Sequence, residues 1–320
     1  MTTSVLSAPP SPSTLAHLKA TDAAGLAFAG SALALSAGGI WLSSRDAVWW
    51  WAAGQIVFGI ALLQWFVLLH ECGHQTLFRT RSLNRVVGSI AGFFALIPFD
   101  VWTHVHRQHH RWTGWQDLDP TTSTLVPRQR TALERGIVDL CWRLWIPLFS
   151  VVYRVGNFWN PWRLVRVEES GRRTRLIASA VGSLAIYAAI GWWLGSSMIL
   201  RLAGLAVVVS FIVQDMLLIS QHTHVPMELS RGERVVPHRA LDQERYTRSL
   251  RLPSGASRFL VHIDAHELHH MYPFVPGYRL REIPYRVQNE VGWWRWVCSA
   301  RAVPGDILLF HNRRDTALDL

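Results

Sequence analysis

At 320 residues the chain has room for one large or two ordinary domains, but 50% hydrophobic and only 17% charged residues exclude an ordinary charge-rich soluble domain. The net charge of +10 comes from arginines dispersed along the chain rather than gathered in a groove-reading helix, which excludes a nucleic-acid partner and suits the anionic face of a lipid bilayer. Cys72, Cys141 and Cys298 form no C-x-x-C pair, so neither a disulfide framework nor a thiolate metal site is expected.

Residues 1–20 are Ser/Pro/Thr-rich and read as a disordered cytosolic tail without a cleavable signal peptide, and 21–320 as a single membrane domain. Gly25–Trp41 and Ala47–Leu69 are apolar runs parted by Ser43-Ser44-Arg45-Asp46. A span needs roughly 20 residues, so this pattern predicts a hairpin crossing the bilayer twice, with His70 where the second span ends. Leu176–Ser220 is too long for one crossing, and Gly195-Ser196-Ser197 offers a turn, which gives a second hairpin ending at Gln221-His222. Val86–Phe99 and Leu144–Tyr153 are apolar but short, and read as interfacial or re-entrant helices. The predicted fold is an all-α integral membrane protein with four transmembrane helices in two hairpins, interfacial helices and a cytosolic helical cap. The two short connections hold only Arg45 and Arg201, while the other 30 of 32 Lys+Arg fall on the opposite side with both termini and the 70–175 segment. The positive-inside rule makes that side cytoplasmic, with a bacterial inner membrane as the expected location.

The chemistry lies in three clusters, His70-Glu-Cys-Gly-His74, His106-Arg-Gln-His109-His110 and His266-Glu-Leu-His269-His270. Positions three and four apart share a helix face, so each cluster can aim its imidazoles at one point. With 15 histidines in 320 residues, H-x-x-H-H opens at a given position by chance roughly once in ten thousand trials, and here it occurs twice. Eight imidazoles exceed the needs of one metal, and structural zinc would take four ligands, usually with cysteines. Two metals are therefore expected. Imidazole suits iron, copper, nickel and zinc, and oxygen chemistry beside a bilayer favours iron.

A ninth ligand is expected from Gln221-His222-Thr223-His224, with His222 preferred because it prolongs the fourth span. His224 and His262, the latter four residues before His266, are candidates for a supporting shell. Asp215 lies two turns before His222 on the same face, where a carboxylate can fix the tautomer of a ligating imidazole. Glu71 and Glu267 can do the same within their clusters. For Asp117 and Asp119 the stronger reading is a polar turn before Pro120. His104 points away from the His106/His109/His110 face, and His17, His238 and His311 lie outside any cluster.

These three clusters, in this order around two apolar hairpins, resemble the histidine boxes of the membrane fatty acid desaturase family over about residues 25–285. Gln221-His222-Thr223-His224 and Met271-Tyr272-Pro273 also look like the family. The resemblance implies a mushroom-shaped helical fold and a centre of two iron ions. Dioxygen would be the co-substrate, a fatty acyl chain on lipid, CoA or carrier protein the substrate, and external ferredoxin or cytochrome b5 the electron donor. No haem motif of cytochrome b5 occurs in the chain. The expected activity is oxygen-dependent desaturation of an acyl chain. A hydroxylase, ketolase or terminal-olefin-forming decarboxylase on the same scaffold is the alternative, since all share the boxes. A membrane metal transporter is disfavoured because its ligands would sit near the bilayer midplane, whereas each cluster here lies at a span end or beyond.

Overall fold

A computed structural model describes residues 8–318 and 320. In chain order the first helices are α1 (Asp22–Ser43), α2 (Val48–His74), α3 (Arg81–Ala95), α4 (Phe99–Trp112) and α5 (Ala132–Arg143). They are followed by α6 (Leu148–Asn157), α7 (Pro161–Val165), α8 (Ser170–Leu194), α9 (Ser196–Ile199) and α10 (Leu205–His222). Shorter helices complete the chain: α11 (Ser254–Phe259), α12 (His266–Met271), α13 (Trp293–Arg301), α14 (Gly305–Phe310) and α15 (Arg313–Thr316). The described residues form two compact units, one made of Thr21–His104 and Phe149–Gln214, the other of residues 8–20, Val105–Leu148 and the described residues from Asp215 onward.

The first unit holds most of the long apolar helices, the last of them continuing beyond Gln214. Among the described residues four helices are long and apolar enough to cross a membrane, Asp22–Ser43, Val48–His74, Ser170–Leu194 and Ser196–His222, or up to six if each of two bent pairs is one span. Thr21 caps α1 by accepting from the Ala24 amide. α1 and α2 approach at backbone distance because both present glycine: a Cβ on Gly54 would lie 2.4 Å from Ser43 N, and one on Gly39 would lie 2.7 Å from Phe58 Cβ. α8 ends at Gly195, whose φ of +74° glycine adopts without strain. A π-turn over Leu200–Gly204 interrupts the helical ladder after it. The Gln55 amide bonds to the exposed carbonyls there, donating to Arg201 O and Leu202 O at 3.0 Å each while accepting from Ala206 N at 2.9 Å. An apolar bundle tolerates such a break only when a side chain satisfies the freed groups. Leu96 in the left-handed region closes α3, and α4 departs at 93° three residues later, so the short apolar stretch at 86–99 is a bent pair rather than one straight helix.

The second unit packs short helices and loops around the remaining histidines. Here the expectation of a disordered tail is corrected for residues 8–20; residues 1–7 lie outside the described residues. Leu15 and Leu18 are 3% and 4% exposed and join a core with Ala265, Leu268, Met271, Tyr272, Val275, Leu280 and Ile283. The Tyr272 hydroxyl donates to Pro10 O at 2.8 Å, and Arg279 donates to His17 O at 3.2 Å. Composition alone missed this because two leucines among polar residues are enough when a preformed apolar seat receives them. A parallel pair of two-residue strands, β1 (Leu250–Arg251) and β2 (Val291–Gly292), ties the chain on either side of α12.

Candidate metal centre

In the second unit α4 contributes His109, the end of α10 His222, and α12 His266 and His270. One ring nitrogen of each lies within 4.8 Å of the others. His266 Nε2 and His222 Nε2 are 2.8 Å apart. A second group, His106, His110 and His269, brings His110 Nε2 to 3.1 Å from His106 Nε2 and 3.0 Å from His269 Nε2. Nitrogens bonded at about 2.0–2.1 Å to one metal ion are separated by about 3 Å at tetrahedral or octahedral angles, so these spacings match a shared cation.

The tautomers fit the same reading. His109 Nδ1–H donates to Asp119 Oδ2 at 2.7 Å, and the other carboxylate oxygen of Asp119 accepts from Thr121 N and Oγ1 at 2.8 and 2.9 Å. That leaves Nε2 of His109 unprotonated and facing the group. His270 Nδ1–H donates to Gln243 Oε1 at 2.9 Å, while His270 Nε2 is buried without a hydrogen-bond partner. Burial, reinforced by the surrounding histidines, holds the His270 imidazolium form well below its ordinary range, so the ring is neutral and able to donate a lone pair. An orphaned basic nitrogen in a dry site is costly unless something binds it, and a metal ion does.

In the first unit the last turn of α2 carries His70 and His74, whose ring centroids are 4.9 Å apart. His70 Nδ1 meets Glu71 Oε1 at 3.1 Å, and the other oxygen of Glu71 accepts from Thr76 Oγ1 at 3.0 Å. Trp102 packs edge-on against His70 at 5.6 Å. Gly73 is needed for that contact, since a Cβ there would lie 2.1 Å from the indole.

Several expected residues stand elsewhere. His224 engages Leu308 O and Thr316 Oγ1 at 3.3 and 2.9 Å, with its backbone in the left-handed region, and so turns away from His222. His262 pairs with Ser257 Oγ at 2.7 Å and joins neither group. Glu267 orients no histidine; it accepts from Asn289 N and Ser249 N at 2.7 and 3.1 Å, and burial raises its pKa to about 7. Asp117 accepts from Ser230 N and Oγ as a loop clamp. Asp119 departs from the polar-turn reading, as its bond to His109 shows. Gln243 was not singled out, because nothing in its local sequence marks an amide 27 positions from the ring it orients. Asp215 is buried, 6% exposed, in α10.

The family model described as fatty acid desaturase matches residues 47–299. The chain belongs to the fatty acid desaturase family. It is an oxidoreductase of that family, and the match encloses all three histidine clusters. Among its relatives, the Delta(12) fatty acid desaturase of Mortierella alpina is 24% identical over 277 residues, covering 76% of this chain and 68% of the relative. The acyl-lipid omega-3 desaturase (cytochrome b5), endoplasmic reticulum, of Arabidopsis thaliana is 24% identical over 275 residues, 80% of this chain and 67% of the relative. The sn-1 oleoyl-lipid 12-desaturase of Arthrospira platensis is 26% identical over 157 residues, 49% and 32%.

Proposed function

We propose that this desaturase introduces a C=C bond into a fatty acyl chain at a centre of two irons held by His70, His74, His106, His109, His110, His222, His266, His269 and His270. The observation that carries the reading is the convergence of His109, His222, His266 and His270 with Nε2 of His270 buried and unpartnered, in a chain of the fatty acid desaturase family. Bound iron supplies oxidising power that no side chain has: dioxygen, two electrons and two protons are consumed, two hydrogens leave adjacent carbons, and the products are an olefin and two waters. The chain's own residues do the positioning. Asp119 and Gln243 hold His109 and His270 in the tautomer whose Nε2 faces inward, and Glu71 orients His70. A fatty acyl substrate suits the aliphatic and aromatic walls of the apolar helices.

The reading extends to topology and partners. The four long apolar helices cross the membrane as two hairpins, with the termini and metal centre in a cytosolic cap, because 30 of 32 Lys+Arg fall on that side. The same basic face complements an acidic external electron donor such as ferredoxin or cytochrome b5, and the relative whose name mentions cytochrome b5 agrees with such a donor. Incubating reduced enzyme with isotope-labelled dioxygen and acyl substrates tests the reaction type. An unlabelled product two hydrogens lighter is expected. Label in the organic product would instead mean hydroxylation or ketolation, and a chain one carbon shorter would mean decarboxylation.

A further inference from the structure

Helix α6 is built inside out. Ser150, Arg154 and Asn157 are 0%, 4% and 5% exposed, whereas Val151, Val152 and Val155 stand 46%, 50% and 57% exposed. Protein atoms bond two of these inner polar side chains: Ser150 Oγ donates to Phe211 O at 3.2 Å, and Arg154 donates to Ala95 O, Ser150 O and Gln214 Oε1 at 3.0, 3.1 and 2.6 Å. A helix with polar groups paired inward and valines outward is adapted to hydrocarbon rather than water.

Just beyond α6 the chain changes character. Trp162 is 71% exposed, and Arg163, Arg166, Arg172 and His104 line an open cavity of about 430 Å³ with Val167, Glu168 and Glu169. The passage from valines through an exposed tryptophan to arginines is the profile of headgroup depth. Arg172 precedes Leu176, the buried start of the apolar part of α8, by four residues, which is roughly 6 Å along the axis. That distance falls within the headgroup layer flanking the hydrocarbon core. Glu169 pairs with Arg172 at 2.7 Å, so three guanidinium groups face two carboxylates and leave one positive charge before His104 is counted. Planar guanidinium forks match phosphate oxygens in pairs, and a phosphodiester carries the one negative charge that balances the cavity.

We propose that this cavity binds the phosphate of a glycerophospholipid, with Arg163, Arg166 and Arg172 as donors and the acyl chains in the hydrocarbon that bathes the valine face of α6. The site uses none of the histidines assigned to metal and stands whether or not the lipid is also the substrate. Dihexanoyl phosphatidylglycerol, kept below its micelle concentration, is titrated into the detergent-purified full chain. Saturable binding is expected, and R163Q/R166Q/R172Q should weaken it by about fivefold for each arginine removed. The control R231Q/R234Q/R239Q should leave it unchanged. If the cavity variant melts early, R163K/R166K/R172K keeps the charge without the fork and should bind between wild type and the glutamine variant. Four results overturn the proposal: dihexanoylglycerol binding as well as the phospholipid; inorganic phosphate binding as tightly, which marks a free-anion site; equal losses in the cavity and control variants; or wild-type affinity in the lysine variant.

Discussion

Asp119 supplies the sharpest perturbation of the proposed centre. Its carboxylate is fully buried, with one oxygen accepting from His109 Nδ1 at 2.7 Å and the other from Thr121 N and Oγ1 at 2.8 and 2.9 Å. Asparagine has the same shape but only one oxygen. If that oxygen serves Thr121, the amide NH2 faces His109 Nδ1 and drives the ring proton to Nε2, which can then no longer ligate. If it serves His109, the NH2 meets the Thr121 N–H and two donors collide in a dry site. Either arrangement forfeits a hydrogen bond to a charged acceptor, about 1.5–3 kcal/mol, or roughly 10- to 150-fold in the population of the metal-ready tautomer. This overlaps the ~10–100-fold loss typical when the partner of a ligating histidine is removed. The assay is iron retained per chain after dialysis against graded chelator, with circular dichroism in parallel. D119N should release iron at a chelator concentration about 10- to 100-fold lower, with its helical signal intact. Wild-type chelator resistance in D119N would refute the reasoning.

Purified protein should carry two irons, and alanine at any of the eight clustered histidines or His222 should abolish turnover, whereas H224A should retain both metal and activity; one tightly held zinc, or full activity in two of the nine variants, would sink the di-iron proposal. D215N should lower activity by ~10–100-fold with expression intact if Asp215 orients a ligating imidazole, and a fully active variant would mark it as a purely structural residue. Cysteine labelling should find both termini and residues 71–175 on the cytosolic side; reagent reaching a position near residue 120 from the opposite side would overturn the four-span arrangement.

The parts of this architecture that depend on local pattern were readable in advance. Helical spacing put His266 and His270 on one face, and the apolar runs located the four long apolar helices and the break at Gly195. What escaped depends on tertiary closure. Gln243 and His270 meet across 27 positions, Gln55 and the Leu200–Gly204 π-turn across about 150, and no periodicity encodes either. Asp119 looked like turn chemistry because Pro120 follows it, yet the same turn aims its carboxylate at His109. The inverted polarity of α6 is invisible until Arg154 finds Ala95 O and Gln214. The split into two units likewise follows from contacts among segments distant in sequence.

The docked N-terminal segment sets an order of events during synthesis. Tyr272 reaches Pro10 across 262 positions, and at 5–20 residues per second the ribosome needs roughly 13–50 s to make the chain between them. Leu15 and Leu18 emerge long before the partners they pack against, Leu268, Met271 and Tyr272, are made, so this segment must wait for some 250 further residues to find its place. A fusion tag or truncation at the amino end therefore acts on the helix that carries His266, His269 and His270, some 250 residues away in sequence and in direct contact in space.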